Sequence, residues 1–129
     1  MKNSNYPIHF VDIETTHFDW RVGEIIEVCI WTSKDGGHTI SDRYHTYIKP
    51  QHLDRANPRA LEVNGYTDER WSMAPMWENV CGEIFRILEY GIFCAHNVSF
   101  DWYWLDHHIK CTSGQKITWS KLATHSLVW

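Results

Sequence analysis

Apolar positions along this chain fall first into short runs and later into a helical period, and each change of period marks an element. Ile8-His9-Phe10-Val11-Asp12-Ile13-Glu14 is β-forming and turns acidic at its end, which predicts a buried strand whose last residues reach a sheet edge. Ile25 to Trp31 predicts a second strand, bounded by Gly23 before it and by the turn residues Lys34-Asp35-Gly36-Gly37 after it. A hairpin leads into a third strand from Thr39 to Ile48, which Pro50 ends. Residues 51–75 are polar and broken by Pro58 and Gly65, which predicts a loop with one or two short helical turns. Trp77, Val80, Cys81, Ile84 and Leu88 then share one face of an amphipathic helix between Pro75 and Gly91. Ile92-Phe93-Cys94-Ala95 predicts a buried strand, and Ser99 is the expected N-cap of a helix running to about Lys110. Cys111 to Lys116 reads as a polar loop, Ile117 onward as a strand, and Ser120-Lys121-Leu122-Ala123 as a helix. The order β-β-β-α-β-α, without repeat or low-complexity segment, predicts a mixed α/β layer structure over residues 1–129.

Composition narrows the function classes. At 129 residues the chain is one domain, and with 43% hydrophobic residues it builds a core rather than a disordered tail. Sixteen acidic against 12 basic side chains give a net charge of −4, which argues against a broad basic face for nucleic acid. No apolar run is long enough to cross a bilayer and the first residues do not form a secretory signal, so a cytoplasmic protein with no membrane partner is expected. The four cysteines stand singly in or beside apolar runs, as reduced thiols do. Eight tryptophans serve either as core fillers or, where exposed, as stacking surfaces for bases or a partner.

Two segments carry the chemistry. In Asp12-Ile13-Glu14 the carboxylates are two residues apart on a strand, so they point to one face. Like charges at the end of a buried strand are costly unless a cation neutralises them, and oxygen-only ligands select hard ions such as Mg²⁺ or Mn²⁺. Ala95-His96-Asn97-Val98-Ser99-Phe100-Asp101 is a second strand end, passing into a helix start where the dipole favours the Asp101 carboxylate. If the two strands are neighbours, three carboxylates meet at one sheet edge. For each residue alone, surface charge or helix-start chemistry is the simpler reading, and the pair of segments is what raises the sharper one.

Phe10-Val11-Asp12-Ile13-Glu14-Thr15-Thr16 and Ala95-His96-Asn97-Val98-Ser99-Phe100-Asp101 resemble the first and second motifs of the DnaQ-like, or DEDD, 3′–5′ exonucleases. That family includes proofreading subunits of replicative polymerases, exonuclease X and ribonuclease T. Glu24-Ile25-Ile26-Glu27-Val28 and Asn64-Gly65-Tyr66-Thr67 resemble its second strand and the loop before its first helix, so the likeness spans residues 8 to about 125. It implies a ribonuclease-H-like mixed sheet flanked by helices, with Asp12, Glu14 and Asp101 as catalytic ligands of two divalent ions, Mg²⁺ or Mn²⁺. It further implies nucleic-acid contacts from Thr15, Phe18, His96, Asn97 and Phe100, with Phe18 stacking on the last base. Single-stranded or 3′-terminal nucleic acid is the implied partner, with a polymerase or a second copy of the chain beside it, in proofreading or DNA repair. Divalent ions bridging carboxylate to phosphate allow an acidic protein to hold such a backbone.

The chain departs from the family pattern in two places. His17 stands where the family usually has glycine, a residue that tolerates dihedrals histidine resists. After Asp101 nothing matches the third motif, His-x4-Asp or Tyr-x3-Asp, which supplies a fourth carboxylate and a general base worth about 10²–10⁴-fold in rate. The expectation is a C-terminally incomplete exonuclease domain that lacks its last helices. A second chain supplying the missing part, or a non-catalytic binding domain of the same fold, are the competing explanations. A zinc site from His107, His108 and Cys111 is set aside, because adjacent histidines diverge on a helix and no second ligand pair accompanies them.

Overall fold

The computed structural model describes residues 6–114 and the backbone of 124–126. Its elements are strands β1 (Ile8–Thr15), β2 (Ile25–Ser33) and β3 (Asp42–Tyr47), a 3-10 turn at Leu53–Arg55, and helices α1 (Pro58–Val63), α2 (Asp68–Trp71) and α3 (Trp77–Leu88). Strand β4 (Ile92–Ala95), helix α4 (Val98–Ser113) and strand β5 (Thr124–Ser126) follow. The five strands form one mixed sheet in the order β3-β2-β1-β4-β5, antiparallel among β1, β2 and β3 and parallel from β1 through β4 to β5.

Strand alternation divides the sheet into two unlike faces. Val11 and Ile13 of β1, Val28 and Ile30 of β2, and Phe93 and Ala95 of β4 are buried and join one core cluster with Cys81, Ile84 and Leu88 of α3 and Trp102, Leu105 and Ile109 of α4. That helical set is the stripe read at Trp77 to Leu88, completed by the buried side of α4. Three tryptophans, Trp71, Trp102 and Trp104, are fully buried, so core filling accounts for them. The opposite face carries Phe10, Asp12 and Glu14 of β1 beside Glu27, Cys29 and Trp31 of β2 and Arg43, His45 and Tyr47 of β3, matched row by row in the antiparallel register.

Boundaries differ from the sequence reading in instructive ways. Asn97, not Ser99, caps α4, its side-chain oxygen accepting from the Phe100 N–H at 3.4 Å. Both residue types cap well, and the strand ends so soon before that the first non-helical residue available is Asn97. The helix also continues past Lys110 through residues expected in a loop, and there the hydroxyls of Thr112 and Ser113 donate back to the carbonyls of His108 and Ile109 at 2.8 and 2.9 Å. It ends at Gly114, whose φ of 75° is the left-handed conformation of a helix C-terminus and whose N–H donates to Lys110. Within 51–75 the polar stretch holds α1 and α2 as well as the 3-10 turn, each α-helix with a side-chain cap from Asn57 or Thr67. The strand and helix expected at 117–123 lie outside the described residues.

Candidate active site

Strand β1 outruns its parallel neighbour. Pairing with β4 covers only Ile8 to Phe10, and beyond that point no described strand occupies this edge of β1. The start of α4 fills the gap, with Asp101 in its first turn and 6% exposed. Its Oδ2 accepts from the backbone N–H of Ile13 at 3.2 Å, a donor that a longer β4 would otherwise have taken. This single bond brings Asp101 against the strand segment that carries Asp12 and Glu14 on its open face. Across from them the antiparallel ladder irregularly shifts register between Glu14 and Thr15. Such bulges re-aim side chains beside active sites.

The electrostatics show how crowded the carboxylates are. Burial lifts Glu14 to about 7, with the Asp12 and Glu27 charges adding to it. Burial likewise lifts Asp101 to about 7, where repulsion from Asp12 outweighs the relief given by the Ile13 N–H. Asp12 is the most open of the three; it too is raised, by burial and by Glu27, with His96 acting the other way. Each of Glu14 and Asp101 therefore feels the charge of Asp12. Among the described residues no set of three His, Cys, Asp or Glu side chains already forms a metal-holding group. The donors are all carboxylate oxygens under mutual repulsion, which is the chemistry that hard divalent cations relieve.

Of the residues expected at nucleic acid, Phe18 is 61% exposed, and with Phe100, Val63, Ala60, Asn64 and Glu14 it lines a cleft of about 150 Å³ beside the carboxylates. Thr15 is buried; its hydroxyl donates to the His17 carbonyl at 2.7 Å and its own carbonyl accepts from Asn64 Nδ2 at 2.7 Å, so it shapes the loop from within. His96 and Asn97 are exposed at the turn from β4 into α4, the latter holding the helix cap. His17 does not force a strained backbone, since among the described residues only glycines have positive φ. Room for it comes instead from Gly23, where a Cβ would stand 2.5 Å from His17 Cβ. Cys111 Sγ lies 3.7 Å from His107 Nε2. Glu27 is the residue the sequence reading missed: nothing short of the β1–β2 register places it opposite Glu14.

The family model described as exonuclease, RNase_T, matches residues 10–121. The chain belongs to this exonuclease family. It is 38% identical over 104 residues to the PolC-type DNA polymerase III of Thermotoga petrophila, covering 81% of this chain and 7% of that protein. It is 32% identical over 101 residues to the 3′–5′ exonuclease DinG of Staphylococcus haemolyticus, covering 78% of this chain and 11% of that one. The chain thus spans a small part of the length of these relatives. Among solved structures, E. coli exonuclease I in complex with a 5cy-dA13 oligonucleotide superposes with a TM-score of 0.79 at 16% identity, over 95% of this chain and 28% of that one. The zinc-ion-bound form of its complex with single-stranded DNA gives 0.83 at 15% identity, over 95% and 28%. At such identity the likeness is one of fold, and it bears out the expected ribonuclease-H-like mixed sheet flanked by helices.

Proposed function

We propose that this chain is a metal-dependent 3′–5′ exonuclease domain that releases nucleoside monophosphates from the 3′ end of DNA or RNA. The observation that supports the proposal is the bond of the Asp101 carboxylate to the Ile13 N–H, between Asp12 and Glu14 on β1 and beside a cleft lined by Phe18 and Phe100. Asp12, Glu14 and Asp101 would hold two divalent ions, Mg²⁺ or Mn²⁺. When bound, such ions lower the pKa of an attacking water and neutralise the charge on the phosphodiester. Hydrolysis adds water across the P–O3′ bond, leaving a 5′-monophosphate on the released nucleotide and a free 3′-hydroxyl on the shortened strand. The exposed ring of Phe18 offers a stacking surface for the terminal base, and Phe100 closes the other side of the cleft. The Asp101 bond to Ile13 ties the start of α4 to β1. Single strands or frayed 3′ ends fit a cleft of this size. The polymerase and exonuclease relatives favour work beside a polymerase or in repair, and free thiols at Cys29, Cys81, Cys94 and Cys111 favour the cytoplasm.

The second reading is a domain of the same fold that binds 3′ ends without cleaving them. Nucleotide release from a 3′-labelled single-stranded oligonucleotide, in Mn²⁺ and in EDTA, separates the two. Metal-dependent trimming that disappears in Asp12→Ala is the expected result. Binding of the oligonucleotide without trimming would replace the enzyme with the binding domain.

A further inference from the structure

Glu27 and Glu14 are direct register partners across β1 and β2, on the open face of the sheet. Directly opposed like charges weaken a sheet, so packing alone gives no reason for glutamate at this position. Its carboxylate is not loose. His45 Nε2 lies 2.7 Å from Glu27 Oε2, and the His45 ring stands edge-on to Tyr47 at 5.0 Å. Tyr47 in turn meets the fully buried Trp71 edge-on at 4.8 Å, so the orientation of Glu27 is tied through two rings to the core. A carboxylate can hold one partner with one oxygen and keep the other oxygen for a second. The charge of Glu27 also reaches both Asp12 and Glu14, as their raised values record.

Building on the proposed exonuclease site, we infer that Glu27, oriented by His45, is a positioning residue of the carboxylate centre, a fourth acidic group that strengthens its hold on divalent cations. Groups that orient and charge a metal site from just outside its ligands typically contribute about 10–100-fold in metal affinity. The reading is tested by Mn²⁺ titration of the full chain without nucleic acid, followed by electron paramagnetic resonance of the free ion. Glu27→Gln is expected to weaken Mn²⁺ binding about 10-fold, and His45→Phe, which keeps the ring and removes the nitrogens, about 3-fold or more. Glu27→Asp should recover part of the loss, and thermal melts in EDTA should show Glu27→Gln at least as stable as the parent, because a repulsion has been removed. Glu27→Gln binding Mn²⁺ like the parent while Asp12→Ala does not would overturn the role of Glu27 and leave the site reading intact. A parent chain that binds no Mn²⁺ would overturn both.

Discussion

Replacing Asp101 with asparagine tests the claim that the three carboxylates are crowded against one another. Asp101 lies in a 6% exposed position and is lifted from 3.8 to about 7 by burial and by Asp12. Between those values the unfolded chain has lost the proton and the folded chain keeps it, so metal-free stability falls as pH rises and the full penalty is present above about 7. From pH 5 to pH 8 the part of that window crossed corresponds to about 3 kcal/mol at 1.36 kcal/mol per pH unit. Asp12 and Glu14 bear part of the same repulsion, which leaves about 1.5 kcal/mol to the Asp101 side chain itself. Asparagine keeps an oxygen for the Ile13 N–H and carries no charge. Thermal melts followed by circular dichroism in EDTA should therefore show the margin of Asp101→Asn over the parent widening by roughly 6 °C between pH 5 and pH 8. Added Mn²⁺ at pH 8 should reverse the order, since it stabilises the parent by binding the native state. Parallel pH dependence of the two proteins in EDTA would refute the crowding argument.

Three further substitutions test other parts of the structure. Gly23→Ala places a Cβ 2.5 Å from His17 Cβ and 2.9 Å from Trp104 Cη2. A loss of about 1–3 kcal/mol in urea unfolding is expected, partly recovered when His17→Gly is added. Trp71→Phe removes the 2.7 Å donation from the indole to the Ile26 carbonyl. That carbonyl retains the Ile48 N–H, so the expected destabilisation is about 1–2 kcal/mol, read from the urea midpoint. Phe18→Ala should raise KM for a single-stranded oligonucleotide roughly 5- to 100-fold, the worth of one stacked base, with an unchanged melting temperature because the ring is solvent-facing.

Much of the fold was legible because periodicity and burial agree. β1, β2 and β4 follow from their apolar runs, and α3 from the stripe Trp77, Val80, Cys81, Ile84 and Leu88, of which Cys81, Ile84 and Leu88 are buried. Local signals decided less where two residues offered the same chemistry, as with Asn97 and Ser99 at the start of α4. The end of α4 was hidden because Cys111 to Ser113 read as loop by composition, while the helix runs on to the left-handed cap at Gly114. In the site, the convergence of Asp12 and Glu14 is a property of strand alternation and was readable. The Asp101 bond to Ile13 depends on β4 being shorter than β1, which no motif encodes. Glu27 was invisible for a similar reason: its place beside Glu14 comes from a cross-strand register set by the length of the intervening loop.

The early end of the β1–β4 pairing also bears on the order of folding. β1, β2 and β3 form a meander of contacts between neighbours in sequence, which close cheaply and early. Asp101 arrives only when β4 has crossed most of the chain to lie parallel to β1 and α4 has settled into the remaining gap. A growing or partly unfolded chain can thus hold Asp12, Glu14 and Glu27 together while lacking the last carboxylate. Asp101 therefore joins Asp12, Glu14 and Glu27 only after the β1–β4 pairing, the longest-range contact among the described strands, is in place.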